Sequence, residues 1–309
     1  MHNFKSLYIF FIVLTLNIFF FSTAKLNAKA FLIEEIEISE PLKNNFDKDS
    51  LINQGFEKAF YELINTLIKS YDLKKIKSIK INEIKSMIES FSIKEEKFIN
   101  QIYHVNLGVS FNKKKIFNYL ESKNIFPSQI VKETFLFIPI IIDQGAEEML
   151  IFSNNPLYKK WSESSRKTSL IKYLLPTEDL EDINLINSEF NDIENYDFKQ
   201  IIKKYFLNHS VIALIFKNEN QTKILSKIKI KDKIIIKNNS FENIDFNDDK
   251  EINNLIDKLK IIYEDIWKDF NQINTSIKLP LLIRVNNKDL NVSLEFEKVM
   301  NEVDLIRNY

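Results

Sequence analysis

The chain of 309 residues contains no cysteine. That excludes disulfides, thiolate metal sites, a cysteine nucleophile and a lipidated N-terminal cysteine. Glycine is almost as scarce, at Gly55, Gly108 and Gly145 alone. Phosphate cradles need glycine so that backbone amides can close on oxygen, so neither a P-loop nor a G-x-G-x-x-G turn exists here. A G-x-S-x-G nucleophile elbow is missing too. The only histidines are His2, His104 and His209. Two histidines in the body of a cysteine-free chain do not make a zinc site. His104 is expected on the polar face of a strand, His209 just before one, and both as ordinary surface or strand-end residues. An excess of either charge is lacking as well: 43 Lys and Arg face 43 Asp and Glu. Without residues 1–30 the balance is 40 against 43, or −3. That gives no long-range field to gather nucleic acid.

What is present starts at the N-terminus. Met1–Ser6 carries the cation Lys5, Leu7–Phe21 is apolar except at Thr15 and Asn17, and Ser22–Ala30 is small and polar. Those three regions and the ending Ala28-Lys29-Ala30 predict a cleaved secretory signal, with a second possible cut after Ala24. The alternative is an uncleaved inner-membrane anchor, although the apolar run falls short of about 20 residues. Export places the protein in the periplasm of a Gram-negative cell. The mature chain is expected to have no transmembrane span, because its longest apolar run, Phe135–Ile142, is strand-sized.

Beyond the signal the patterning predicts an α+β fold of two small α/β units. The first, residues 31–128, reads strand-helix-helix-strand-strand-helix. Phe31–Ser39 alternates imperfectly as a strand. Asp47, Asp49 and Ser50 offer caps for a helix whose inward stripe is Ile52, Phe56, Ala59, Phe60, Leu63, Ile64 and Leu67. A short helix follows Asn82. Phe91–Lys97 and Tyr103–Phe111 form a hairpin, and Lys113–Lys123 a helix.

The second unit, residues 129–240, is expected to be a mixed sheet with flanking helices. Phe135–Ile142 reads as a strand buried on both faces, with Met149–Phe152 pairing back onto it. Asn155–Trp161, Ser165–Tyr173 and Asp197–Phe206 read as helices, Val211–Phe216 as a buried strand, and Thr222–Ile230 with Lys233–Lys237 as a hairpin. Asn238–Asp249 reads as a polar linker. Residues 241–309 are expected as a C-terminal extension: a helix over Glu251–Phe270, a strand at Leu281–Val285, a helix at Leu294–Met300 and the start of a strand at Val303–Ile306.

No catalytic, cofactor or metal residue can be assigned from spacing. Four residues stand out as interaction candidates. Trp161 follows a Pro turn and could face a ligand, or simply close a core. Glu178, Asp179 and Asp182, with Glu181, form an acidic cluster after Pro176. Such a cluster caps a helix by favouring its dipole, or supplies acids to a hydrolase or a metal.

Several segments, in order, resemble an uncharacterised exported proteobacterial family. They are Asn53–Phe60, Phe91–Glu96, Val109–Asn112, Asn155–Trp161 and Leu175–Asp182. Leu157 stands where that family usually has an aromatic residue. The resemblance implies export and an α+β fold, and brings no activity. The second unit is also loosely similar to the N-terminal domain of the Tol–Pal system's periplasmic propeller protein and to lipoprotein activators of cell-wall synthases, a likeness of fold alone. Together these readings predict a non-enzymatic envelope protein, without cofactor, that binds another periplasmic or membrane-associated protein. The alternative is a carboxylate-dependent hydrolase acting on an envelope glycan.

Overall fold

The computed structural model describes residues 31–42, 46–163, 168–218, 221–242, 244–275, 282–284 and 290–302. The expected leader at Leu7–Phe21 and the strand start at Val303–Ile306 lie outside them. The fold is α+β with two sheets. Among the described residues the chain divides into two compact units, one drawn from 31–64, 74–126 and 274–302, the other from 65–73 and 127–273.

The first unit opens with β1 (Leu32–Pro41), α1 (Lys48–Leu67), α2 (Ile81–Met87), β2 (Ile88–Ile99), β3 (Ile102–Phe111) and α3 (Lys113–Ser122). The strands form an antiparallel sheet in the order β1-β3-β2. The uneven alternation of β1 has a local cause. A register shift falls between Ile33 and Ile36, and Glu35 takes a φ of 60°. The extra residue moves Ile36 onto the inner face. Helix α1 starts where Asp47 Oδ1 accepts from the amide of Asp49 at 3.0 Å. Every residue of its expected stripe is buried. Each such Leu, Ile or Phe contributes about 1.5–3 kcal/mol by leaving water. Phe60 meets Phe111 of β3 edge-on at 6.2 Å, and Val105, Leu107 and Val109 line the same face.

In the second unit β4 (Glu133–Asp143), β5 (Glu148–Leu150), α4 (Pro156–Glu163), β6 (Ile171–Leu174), α5 (Leu180–Ser188), α6 (Lys199–Lys203), β7 (His209–Lys217), β8 (Gln221–Ile230), β9 (Lys233–Glu242) and α7 (Asp249–Phe270) follow one another. The sheet order is β5-β4-β7-β8-β9, with β6 also paired to β4. It is mixed: β4 runs parallel to β6 and β7, and the remaining pairs are antiparallel. Strand β4 is buried on both faces. Phe135, Phe137 and Ile141 enter a core with α4 and α7, whereas Leu136, Ile138, Ile140 and Ile142 enter one with α5 and α6. Both faces are covered, so no alternation of polar residues survives in the strand.

Four expectations need correction. The helix read at Ser165–Tyr173 is strand β6 from Ile171 onward; only Ile171 and Tyr173 are drawn inward, over four residues, too short a stretch to show a period. The linker read at Asn238–Asp249 begins as strand, because β9 continues to Glu242 by pairing Asn238 with Leu225 and Asn239 with Ile224. The ladder overrides the low strand propensity of Asn. The helix placed in a C-terminal extension, α7, instead supplies Ile252, Leu255, Ile256, Leu259, Tyr263 and Trp267 to the core of the second unit. Leu282–Arg284 form no strand, while Leu281 and Val285 lie outside the described residues. The last helix, α8 (Leu290–Glu302), covers the expected one.

Candidate functional site

The acidic segment is built around one lysine. Asp179 is the N-cap of α5, its Oδ1 accepting from the amide of Glu181 at 2.9 Å. Its other oxygen accepts from Lys204 Nζ at 2.9 Å, and Asp182 Oδ1 accepts from the same ammonium at 2.7 Å. Glu181 lies 3.7 Å from it. Asp182 is 1% exposed. The Lys204 ammonium, with the Glu181 amide, holds the Asp179 carboxyl below its usual range. Asp182 and Asp179 in turn raise the lysine. Glu178 precedes this cap and makes no part of the ion cluster. The arrangement is a helix cap locked by a cation. A glycosidase needs two carboxyls of separated acidity across an open cleft, and this geometry offers none. Among the described residues no group of His, Asp and Glu could hold a metal ion.

Trp161 has a different setting. It is 1% exposed and stacks on Phe137 with centroids 3.7 Å apart. Tyr173 meets it edge-on at 5.2 Å. Asn155 aims the helix that carries it. The Asn155 side chain accepts from the amide of Leu157 at 2.9 Å and donates to the carbonyls of Pro139 and Leu150 at 3.0 and 3.2 Å. Pro156 then suits the first helical turn, where an N–H would go unused.

Trp161 closes the core and also borders a cavity of about 520 Å³. The walls come from the start of β4 (Lys132, Glu133, Thr134), from β6 and the residues before it, and from Lys260 and Glu264 of α7. Lys260 is 8% exposed. Its ammonium donates to the Trp161 carbonyl at 2.8 Å and stands 5.1 Å from the Trp161 ring and 5.9 Å from that of Tyr173. Glu264 Oε1 accepts from Ser169 Oγ at 2.6 Å and from the Leu170 amide at 3.0 Å, tying the entry of β6 to α7.

The structure brings Asp179 and Asp182 together, leaves Glu178 beside them, and sets Trp161 in the other core, on the opposite face of the sheet. Lys260, Tyr173 and Glu264 were not singled out from the sequence. Lys260 left a trace there: it falls four residues after Ile256 and three before Tyr263, inside the buried stripe of α7. A lysine in that register is rare without a reason. His209, expected at the surface or a strand end, does begin β7 but is buried. Its ring stacks on Phe135 at 4.8 Å and meets Trp267 at 5.4 Å.

Two strand edges complete the inventory. Among the described residues β2 pairs only with β3, and β9 only with β8. On β2, Phe91, Phe98 and Ile99 are at least half exposed, and Ile93 is 39% exposed. Among the described residues no helix is long and apolar enough to cross a membrane. Comparison of the sequence with protein-family models and with curated proteins finds no match.

Proposed function

We propose that the chain is an exported envelope protein whose first unit binds an extended segment of another periplasmic or membrane-associated protein along β2. The observation that carries this reading is the edge itself. Among the described residues, this twelve-residue strand has one edge that no strand pairs, with Phe91 and Ile93 toward one end and Phe98 and Ile99 at the other. A strand added there gains main-chain hydrogen bonds, most readily over Glu95–Ile99, beyond the irregularities between Ile88 and Ser90 and between Ile93 and Glu95. The charges at the centre of β2 are already engaged within its own unit: Lys94 pairs with Glu34 at 3.0 Å and Glu96 with Lys48 at 2.7 Å. They set a polar interval between the two apolar ends, which favours a partner of matching pattern. The leader-like Leu7–Phe21 supports the envelope location.

The test is site-specific photo-crosslinking in intact cells. A photoreactive phenylalanine at Phe98 is expected to give one discrete adduct. The same group at Phe206, which is 94% exposed, is expected to give none. Equal labelling from both positions, or none from Phe98, overturns the reading. Mass spectrometry of the purified N-terminus decides the location separately: a chain starting at Phe31 or Lys25 supports export, and an intact chain recovered from cytosol removes it.

A further inference from the structure

The outer hairpin of the second sheet carries an uneven charge and is independent of β2. The whole chain balances 43 cations against 43 acids. Residues 223–237, within β8 and β9, hold six lysines and one carboxylate, Asp232. Lys229, Lys231 and Lys233 make no ion pair among the described residues.

One face of this hairpin is identified by its contacts. Leu225 packs against the core that α5 and α6 cover, and Lys227 Nζ donates to the Tyr196 carbonyl at 2.9 Å on the same side. Side chains alternate along a strand, so Lys229 shares that face. Across the ladder Ile236 stands opposite Lys227, and Ile234 opposite Lys229. The helices stop short of both: Ile234 is 65% exposed and Ile236 63%. Carboxylates do approach from the helical side, where Asp192, Glu194 and Asp197 neighbour Lys227. Asp197 is paired with Lys199.

Phe206 belongs to the same end of the sheet. It lies two residues before Asn208, whose carbonyl accepts from the Lys231 amide at 3.2 Å in the turn between β8 and β9. The residue is 94% exposed and has a φ of 54°. A left-handed backbone costs a bulky residue free energy, and a ring in water returns none.

Lysine on an open edge discourages strand addition, which disfavours another protein strand as the occupant. Isoleucine and phenylalanine set among unpaired lysines suit a different surface. Apolar side chains enter the acyl boundary of a bilayer while ammonium groups meet its phosphates. We propose that this end of the second unit docks on an anionic lipid bilayer, with Phe206, Ile234 and Ile236 inserted and Lys229, Lys231 and Lys233 among the headgroups. Lipid contact at Phe206 gives no protein adduct, so that residue remains a valid control for crosslinking from Phe98.

Vesicle co-sedimentation tests this on the full mature chain, free of the apolar Leu7–Phe21. Vesicles of phosphatidylglycerol and phosphatidylethanolamine are compared with vesicles of phosphatidylcholine alone. Binding to the anionic vesicles is expected, weakened by salt, with little to the neutral ones. Lys231→Glu with Lys233→Glu is expected to weaken it more than about twentyfold, at about fivefold per lysine. Ile234→Ser with Ile236→Ser, and Phe206→Ser alone, are each expected to weaken it about fivefold. All five positions are exposed, so the substitutions leave the core intact, as circular dichroism checks. No binding to the anionic vesicles, or equal binding to both kinds, overturns the proposal. So does binding that responds to salt and to the lysines but not to Phe206, Ile234 and Ile236, which would make an acidic polymer the better partner.

Discussion

The side-chain amide of Asn155 donates to the carbonyl of Pro139 at 3.0 Å, in the stretch of β4 that no neighbouring strand pairs on that side. β6 pairs residues 133–136 and β5 pairs residues 141–143. A proline inside a sheet removes a ladder hydrogen bond and is tolerated only where none is needed. The gap between β6 and β5 is such a place. Backbone N and C=O of one residue point to the same side of a strand, so the missing N–H of Pro139 faces the gap, and Asn155 takes up the carbonyl left beside it.

Asn155→Ala removes this bond, the one to Leu150 and the cap on α4 together. A lost cap costs about 1 kcal/mol and an unsatisfied buried carbonyl about 1–3 kcal/mol. A loss of about 2–4 kcal/mol in urea denaturation is expected. Asn155→Asp retains the cap acceptor but not the two donors, and is expected to remain destabilised. A variant with wild-type stability would show that water replaces the amide without penalty.

Gly55 sets two effects against each other. It lies inside α1, where alanine is favoured by about 1 kcal/mol. A Cβ there would lie 2.4 Å from Leu107 Cδ1 and 3.0 Å from Ile38 Cδ1. Leu107 is fully buried and has nowhere to move. Overpacking costs about 1–3 kcal/mol, so Gly55→Ala is expected to lower the melting temperature. Adding Leu107→Ala should turn the glycine substitution neutral or favourable. A higher melting temperature for Gly55→Ala alone contradicts the packing argument.

His209 gives stability a pH dependence of defined sign. Burial holds its imidazole below the usual 6.5, with Lys231 adding to the effect and Glu133 opposing it. Its Nδ1 accepts from the amide of Lys231 at 3.3 Å, so the neutral ring carries its proton on Nε2. The unfolded chain takes up a proton first as the pH falls. The contribution is therefore complete above the unfolded value and is lost on acidification below it. Urea midpoints from about pH 7.5 down to about pH 5.5 should fall in the wild type, and more gently in His209→Asn. An unchanged slope in the variant assigns the dependence to other groups.

Lys204 is the cation that makes Asp182 tolerable in the interior. Removing one partner of such a pair leaves an uncompensated buried charge, which is worse than having neither. Lys204→Met should lower the melting temperature, and Asp182→Asn added to it should restore part of the loss. The pair is best measured as a double-mutant cycle. Additive effects would mean that the two side chains do not act together.

Much of the fold was legible because two periods carried it. The seven-residue stripe of α1, the alternating face of β3 and the apolar runs of β4 and β7 are each long enough to show their geometry. The acidic cap at Asp179 could also be foreseen from an acid placed before a helix. β6 escaped because four residues carry no readable period. β9 was cut short because Asn and Ser disfavour strands until a neighbour supplies the ladder. In α7 the periodicity marks Ile252, Leu255, Leu259, Ile262, Ile266 and Phe270 as one inward stripe; the structure buries the first three with Ile256, Tyr263 and Trp267, keeps Ile262 and Ile266 at the core's margin and leaves Phe270 exposed. An apolar stripe wider than the contact it makes leaves the rotation of the helix open.

The sequence by itself determined the chemistry that is excluded, the α+β class and the elements with strong periodicity, because these depend on composition and on neighbours within a turn or a strand. Only the tertiary structure decided that Lys204 satisfies Asp179 and Asp182, that Asn155 fills the gap at Pro139, and that Lys260, Tyr173 and Trp161 border one cavity. Their members meet across separations of 12 to 99 positions. Their meeting is fixed by which faces of the sheet and helices pack together, and local sequence carries no term for that.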